Sequence, residues 1–331
     1  MRINSLTLKR VSAFVSGCII SCCMVAHAQQ EPLFTQYVNT PLTLNPAYAG
    51  NRNSLAVDFG VRQQWMGVEG APKTYSLTAH SPINKSRVSL GGSLMSDQAG
   101  PITTNQLSFA YSYMVRLDER MFLSLGTNAG LNHYNIGLTD VKLLNLNDPN
   151  FGFNIENEIK PLWGVGAVLF TPVFHIGLSA PQIFISEFSK TDNESTIYHN
   201  NRHFYINAGY NYQINKKQSV KISTFARVID AKQQVIDLNA LMNYNKYLWF
   251  GMSYRFNQAV AGMVNYQVNR NWSICYSYDF YTNHNTYFQQ GAHEITLSYD
   301  CYKFYKKNKY RNFKRKSSDK DDDAIRSIRY F

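Results

Sequence analysis

Length and composition exclude several classes of protein. The chain has 331 residues, of which 44% are hydrophobic and 17% are charged, so it is neither disordered nor collagen-like. Its 23 Tyr, 20 Phe and 4 Trp accompany a mean hydropathy of only −0.32, which argues against a helical membrane protein and favours strands with one apolar and one polar face. The formal charge of +11 resides mostly near the two ends of the chain, so no nucleic acid is expected as a partner of the folded part.

The first 28 residues have the features of a signal peptide. A basic start precedes the only long apolar run, residues 11–25, and Ala-His-Ala at 26–28 fits a cleavage site. We therefore expect a mature chain that begins at Gln29. The alternative is lipidation at Cys22, but the apolar run continues past that cysteine. No other stretch is apolar over the roughly 18 residues that a spanning helix needs.

Residues 29–53 precede the first predicted strand and contain the sequence Asn-Pro-Ala-Tyr-Ala-Gly at 45–50. Pro46 fixes its own φ and biases Asn45 toward extended geometry, whereas Gly50 permits a turn that other residues resist. Such a segment is suited to fold into the mouth of a barrel as a plug. The alternative is an ordered lead-in strand.

From residue 54 to about residue 304, apolar and polar residues alternate in segments of about ten residues, the length of a tilted strand that crosses a bilayer. Phe109 and Tyr111 share one face of such a segment, while Ser108 and Ser112 share the other. We predict an all-β fold, a transmembrane antiparallel β-barrel of about fourteen strands with an N-terminal plug-like segment. The predicted strands are 54–63, 74–80, 88–96, 103–116, 120–131, 161–171, 173–180, 203–214, 219–228, 234–244, 247–255, 258–268, 272–281 and 294–304.

The connections favour a barrel in an outer membrane. Short connections at 81–87, 117–119, 171–172, 215–218, 245–246 and 269–271 contrast with long ones at 64–73, 132–160, 181–202 and 282–293. Short periplasmic turns and longer outer loops are typical of outer-membrane barrels, and an even strand count predicts that both termini are periplasmic. The alternative is a soluble β-sandwich, which also alternates apolar and polar residues. The many strands and the Tyr-rich, sparsely charged apolar faces favour the barrel.

The polar faces carry charged residues that we predict to point into the lumen. Mixed signs in a barrel interior indicate salt bridges that hold a plug or a hydrated core, and the alternative is a channel lining. These residues are Asp58, Arg62, Arg116, Lys221, Arg227, Asp237, Arg255, Asp279, Glu294 and Asp300.

The sequence lacks the local motifs of common enzymes. It contains no nucleophile elbow, zinc-protease motif, Walker loop or dinucleotide fingerprint, and no pair of histidines has a convincing metal-ligand spacing. Asp279, His284, His293 and Glu294 lie near one rim of the last predicted hairpin, but a His beside a Glu is more often a surface feature. We therefore expect no catalytic site, no cofactor and no metal.

Five short motifs occur in order along the mature chain. They are Gln36-Tyr37, Asn45-Pro46-Ala47-Tyr48-Ala49-Gly50, Arg62-Gln63-Gln64-Trp65, Gly70-Ala71-Pro72-Lys73-Thr74-Tyr75 and Gly291-Ala292-His293-Glu294-Ile295. Together they resemble the PorP/SprF family of type IX secretion system outer-membrane proteins, and the resemblance extends to about residue 304.

This resemblance implies a fourteen-stranded outer-membrane barrel in Bacteroidetes-type bacteria, without catalytic activity. It implies partners among the secretion components of the periplasm and outer membrane, a secreted adhesin or its C-terminal domain, and outer-membrane lipid. The Asn-Pro-Ala motif also resembles the fatty-acid transporter barrels, so a FadL-like channel for hydrophobic small molecules is the alternative function. An apolar inner pocket would favour that channel, and the polar inner faces count against it.

Beyond the last predicted strand, residues 303–331 carry eleven Lys or Arg and four Asp, a charge of +7. This composition predicts either a flexible, solvated extension or an arm that contacts acidic periplasmic partners. The predicted organisation is a signal peptide (1–28), a plug or lead-in segment (29–53), a barrel (54–304) and a basic periplasmic tail (305–331). We expect the long outer loops to hold a cargo domain and the tail to contact the secretion machinery.

Overall fold

The computed structural model describes most of the predicted barrel. The described residues are 34–52, 54–83, 86–139, 154–184, 186–189, 196–200, 202–215, 217–229, 233–245, 247–282 and 290–302. The predicted signal peptide, His284 and the predicted basic tail lie outside them. None of the described helices has the length and apolar character that a membrane-spanning helix requires.

Sixteen strands are described, and fourteen of them form a closed antiparallel barrel. In chain order the strands are β1 (Leu55–Gln64), β2 (Lys73–Pro82), β3 (Val88–Ala99), β4 (Ile102–Asp118), β5 (Met121–Ile136), β6 (Ile155–Phe170), β7 (Phe174–Ala180), β8 (Ser186–Ser189), β9 (Thr196–Asn200), β10 (His203–Asn215), β11 (Gln218–Ile229), β12 (Gln233–Tyr244), β13 (Leu248–Arg255), β14 (Ala259–Gln267), β15 (Trp272–Tyr281) and β16 (Ala292–Cys301). Each barrel strand pairs with its neighbours in sequence, β7 pairs with β10, and β1 pairs with β16 to close the barrel. The predicted fourteen-stranded barrel is confirmed.

The alternation of the sequence becomes an outer and an inner face. A row of apolar side chains crosses β1 to β5 through the register pairs Phe59↔Leu77, Leu77↔Leu94, Leu94↔Leu107 and Leu107↔Leu131, and all five are exposed. A contiguous apolar belt of this kind is unfavourable in water but suits contact with lipid chains. On the opposite face of β4, Ser108 and Ser112 are buried.

Two predicted loops contain more strand than expected. β5 continues to Ile136 and β6 begins at Ile155, where the predicted connection was 132–160, and the 181–202 connection contains the β8–β9 hairpin. β4, β5 and β6 have 17, 16 and 16 residues, more than the roughly 9–11 that cross a bilayer. A strand that extends beyond the lipid does not need an apolar face. Polar residues can occupy both of its faces, so the alternation of apolar and polar residues that predicts the other strands is missing there.

Residues 34–52, here called the N-terminal segment, are not an extended strand. They contain two 3-10 helices, Pro41–Thr43 and Pro46–Tyr48. Asn45 has an extended backbone (φ −149°, ψ 114°), and its side-chain oxygen accepts a hydrogen bond from the Ala47 N–H at 2.9 Å. Gly50 adopts φ +67°, a conformation that favours glycine. The structure therefore contradicts the lead-in strand as a conformation for these residues.

Candidate functional site

The N-terminal segment lies against the inward faces of the barrel strands. Serine hydroxyls of the wall donate hydrogen bonds to its carbonyl groups: Ser124 to Ala47 at 2.7 Å and Ser112 to Ala49 at 2.8 Å. A third such bond, from Ser179 on β7, reaches the segment at 2.7 Å. Because a buried carbonyl without a partner is costly, these bonds make the interior of the barrel a suitable environment for an irregular backbone.

Glycines of the wall make room for the Asn-Pro-Ala turn. A Cβ atom added at Gly126 would lie 2.3 Å from the Ala47 nitrogen, and one added at Gly166 would lie 2.0 Å from the Asn45 Oδ1 atom. Both distances are far below van der Waals contact. These two glycines are therefore required by the close approach of the segment to β5 and β6.

Two ends of the barrel are distinguished below. The loop side carries the longer connections as well as some short ones, and the turn side carries short connections together with residues 54 and 302. Near the loop side, five charged side chains with exposed fractions of 3% or less form the loop-side cluster: Arg62, Asp237, Arg255, Asp279 and Glu294. Arg62 contacts Asp279 at 2.8 Å and Glu294 at 2.9 Å. Arg255 contacts Asp237 at 3.0 Å and lies 3.6 Å from Asp279.

The start of the N-terminal segment is bound to the loop-side cluster. The Thr35 N–H donates to the Glu294 carboxylate at 2.9 Å, and the Gln36 N–H donates to the same carboxylate at 3.1 Å. The Thr35 hydroxyl donates to Asp279 at 2.7 Å. The loop-side cluster has three carboxylates and two guanidinium groups. The donors of the N-terminal segment offset this excess of negative charge, because hydrogen bonds to an ionised carboxylate are strong.

The other end of the segment is bound near the turn side. Arg52 Nη1 lies 2.8 Å from Asp58 and 3.9 Å from Asp300, and Arg52 Nη2 donates to the Asn39 carbonyl at 2.6 Å. Ser54 donates to Asp300 at 2.7 Å. The N-terminal segment therefore crosses the lumen, from Thr35 near the loop side to Arg52 near the turn side.

Two tyrosines anchor the middle of the segment. Tyr37 packs against Phe225 with 4.7 Å between ring centroids, and its hydroxyl accepts a hydrogen bond from Asn239. Tyr48 packs edge-on against Phe170 at 5.6 Å and accepts a hydrogen bond from Asn207. Both tyrosines are buried, so each fixes the segment to the wall through its ring and its hydroxyl.

One family description fits this chain over most of its length. The chain matches the family "Type IX secretion system membrane protein PorP/SprF" over residues 26–299. It belongs to the PorP/SprF family. The resemblance that the five motifs carry is thereby confirmed. No curated protein sequence matches the chain.

Solved structures show the same kind of barrel. The PorP/SprF chain is similar to the toluene transporter TbuX of Ralstonia pickettii, with a TM-score of 0.50, 12% identity, and coverage of 80% of this chain and 94% of that one. It is also similar to the Acinetobacter baumannii outer membrane protein Omp33 (TM-score 0.44, 10% identity, coverage 76% and 99%) and to a Pseudomonas aeruginosa FadL homologue (0.42, 11%, 75% and 89%). At this identity the likeness to TbuX shows the outer-membrane barrel fold alone.

The PorP/SprF motifs occupy connected positions. Gln36 and Tyr37 lie near the start of the N-terminal segment, which Glu294 binds, and Gln36 Nε2 also donates to the Glu294 carbonyl at 2.7 Å. The Asn45, Pro46, Ala47 and Gly50 motif forms the close contacts with the wall. Trp65 lies in the β1–β2 connection, 6.3 Å from the Tyr281 ring.

The predicted lumen charges do not all join one site. Lys221 and Arg227 are buried on the inward face of β11. Arg116 differs, because it is partly exposed at the β4–β5 turn and donates to the carbonyls of Asp118 and Glu119 at 3.2 and 3.0 Å. Within the described ranges, no group of three or more His, Cys, Asp or Glu is arranged to hold a metal ion.

Sequence reasoning missed Thr35, Asn39 and Arg52. All three lie in the N-terminal segment, which has no strand or helix period from which facing residues could be read. The one available signal was the unusual density of small and amide residues before the first strand.

Proposed function

We propose that this outer-membrane barrel is an accessory component of the type IX secretion system that helps to export proteins or to anchor them at the cell surface. The observation that carries the proposal is the PorP/SprF match over residues 26–299. A binding and scaffolding role follows from the family and from the site, rather than an enzymatic one.

The N-terminal segment occupies the lumen, which supports a scaffolding role rather than conduction of a polypeptide through the barrel. Three cavities between the N-terminal segment and the wall measure about 90, 30 and 20 Å³, and one water needs roughly 10–15 Å³ in a cavity. Such spaces accept small groups and not a protein chain. In this proposal the segment is a plug, and cargo is held outside the barrel.

The loop side offers apolar groups for such cargo. Met66 and Val68 in the β1–β2 connection are 55% and 38% exposed, and Phe184 after β7 is 46% exposed. Exposed apolar groups beyond the lipid belt support a protein contact. We propose that the connections at 64–73, 137–154, 181–202 and 282–293 receive a secreted adhesin or its C-terminal domain.

The turn side is the periplasmic face in this proposal. β16 ends there, which supports a periplasmic position for the basic tail (305–331) and its contact with secretion components. The N-terminal segment enters the lumen near the loop side, at Thr35, so the described residues do not support a periplasmic N-terminus. We propose that a signal peptide is removed before Gln29.

The alternative is a FadL-like channel for hydrophobic small molecules. The fold likeness to the toluene transporter TbuX is compatible with it. Against it, the cavity of about 90 Å³ is lined by charged and amide groups such as Arg52, Asp300 and Asn265. An apolar ligand would displace water from this polar lining without replacing its hydrogen bonds, which is unfavourable.

Affinity purification from native membranes tests the proposal. Tagged full-length protein should recover type IX secretion components and a surface-exposed cargo. The double variant Met66→Glu, Val68→Glu should lose the cargo and keep the periplasmic components, because only the loop-side surface is changed. Recovery of an apolar small molecule without any secretion component would support the channel and contradict the proposal.

A further inference from the structure

Lys221 differs from the other buried charges of the lumen that are described above. Its side chain is 95% buried, with 5% exposure, and the described part of the chain gives its ammonium group no hydrogen bond and no ion pair. Arg52, Arg62 and Arg255 are each bound to carboxylates. A buried cation without a partner is unfavourable, so an anion that reached Lys221 would gain from neutralising it.

A cavity lies beside Lys221 and provides the space for such an anion. It measures about 90 Å³ and is formed by the N-terminal segment and the turn-side ends of β11 to β16. Trp249, Asn265 and Ser273, which line it, are partly exposed. The cavity, here called the turn-side cavity, can therefore be reached from water at the turn side of the barrel.

The charged residues that line the turn-side cavity favour a ligand with a single negative charge. Arg52 is already matched by Asp58 at 2.8 Å and has Asp300 at 3.9 Å. Lys221 is thus the one lining cation of the described cavity without a counter-charge. Asp300 is also in the lining and would repel a second negative charge, which disfavours a phosphate dianion.

The size of the turn-side cavity agrees with this selection. About 90 Å³ is well above the roughly 10–15 Å³ that one water needs in a cavity, so a carboxylate group and its adjoining carbon have room there.

We propose that the turn-side cavity is a binding site for a carboxylate that enters from the turn side and contacts Lys221. Its source is either an acidic or C-terminal residue of a periplasmic protein or an acidic residue of this chain's own C-terminal extension, whose four Asp are 319, 321, 322 and 323. This inference is independent of the secretion role, because it rests on the cavity and its charges alone.

Fluorine NMR of the full-length protein in detergent micelles tests the site. The chain has four Trp, and Trp249 lies in the cavity lining, so 5-fluorotryptophan at this position reports on occupancy. The variant Trp249→Phe assigns the resonance. Sodium acetate, added at constant ionic strength with sodium chloride, should shift the Trp249 resonance in a saturable way, and neutral acetamide should not.

Variants in the β10–β11 hairpin distinguish binding of acetate at Lys221 from a general effect of the protein's charge. Lys221→Met should abolish the acetate shift, while Lys221→Arg should retain it because the charge is kept. Lys217→Met is the matched control, since Lys217 is exposed at the β10–β11 turn. Heat-modifiable migration on gels verifies that each variant is folded, and removal of an unpaired buried charge is not expected to unfold the barrel.

The outcomes of these measurements test the site and identify the source of the carboxylate. Absence of a saturable shift in the unchanged protein and in the protein without residues 305–331, or an equal shift in Lys221→Met, would overturn the proposal. If only the truncated protein binds acetate, or binds it several-fold more tightly, the chain's own extension is the source of the carboxylate. Equal binding with and without the extension identifies a carboxylate from another molecule.

Discussion

Arg62 and Glu294 lie directly opposite each other on β1 and β16, the two strands that close the barrel, with 2.9 Å between Nη1 and Oε2. The same Glu294 carboxylate accepts hydrogen bonds from the first described turn of the N-terminal segment, through Thr35 and Gln36. The Arg62–Glu294 ion pair therefore contributes both to closure of the barrel and to binding of the N-terminal segment, although the residues involved are far apart in the sequence.

Arg62→Met is expected to destabilise the folded barrel by about 3–5 kcal/mol, because it leaves the buried Glu294 without its cation and Asp279 with Arg255 alone, at 3.6 Å. Arg87→Met is the control, since Arg87 is exposed near the β2–β3 turn, and surface changes cost roughly 0.5 kcal/mol or less. Urea unfolding in lipid vesicles measures both variants. Equal unfolding free energies would contradict a structural role for the cluster.

The sequence predicts the barrel because the physical demand on each strand is local. A side chain such as Leu107 must face lipid and its neighbour Ser108 must face the interior, so the two faces can be read residue by residue. The pairing of Arg62 with Glu294 cannot be read in this way, because their separation of 232 residues is set by the number and register of all intervening strands. The contacts of the N-terminal segment are missed for a related reason, since irregular backbone carries no period.

Loop-side strand was missed for a different reason. Glu156 and Glu158 of β6 are exposed, and they extend the strand to a region where no lipid contact selects apolar residues. Their alternation therefore carries no hydrophobic signal, although the backbone pairing continues.

Phe250→Arg is expected to impair membrane assembly, because Phe250 is 42% exposed on the outer face and an Arg in the lipid costs about 2–4 kcal/mol near the midplane. Phe250→Leu is the matched control and should assemble normally. Folding yield into lipid vesicles, read from heat-modifiable migration, checks the difference.

The inner face of the barrel tolerates large side chains less well than the wall of a water-filled lumen would. The sequence alone places Ser112 on a water-facing side and predicts that Ser112→Arg harms assembly much less than Tyr111→Arg. In the structure, however, Ser112 has 0% exposure and donates a hydrogen bond to the Ala49 carbonyl. We now expect Ser112→Arg to displace the N-terminal segment. Assembly of Ser112→Arg with an unchanged protease pattern of the segment would show that this inner face has more room than the structure gives it.

Gly126→Ala is expected to release the N-terminal segment from the wall, since the added Cβ would lie 2.3 Å from the Ala47 nitrogen. The barrel itself should still form, because strand pairing does not require this glycine. Gly262→Ala is the control, as its added Cβ would meet nothing within 4 Å. Ion conductance in planar bilayers should rise for Gly126→Ala and stay at the unchanged level for Gly262→Ala. If neither variant conducts more than the unchanged protein, the segment is not what closes the lumen.

Deletion of residues 306–331 is expected to leave the barrel folded and to weaken recovery of periplasmic partners. The extension beyond β16 is strongly basic over 303–331, with a charge of +7, and its attraction to acidic partners would be screened beyond about 10 Å at 0.1 M salt. High salt should therefore reduce the recovery by the full-length protein to that of the truncated one. Pull-down from detergent-solubilised membranes at two salt concentrations measures this effect. Recovery that is the same for both proteins at low salt would leave the extension without a binding role, and failure of the truncated protein to insert would instead assign residues 306–331 to membrane assembly.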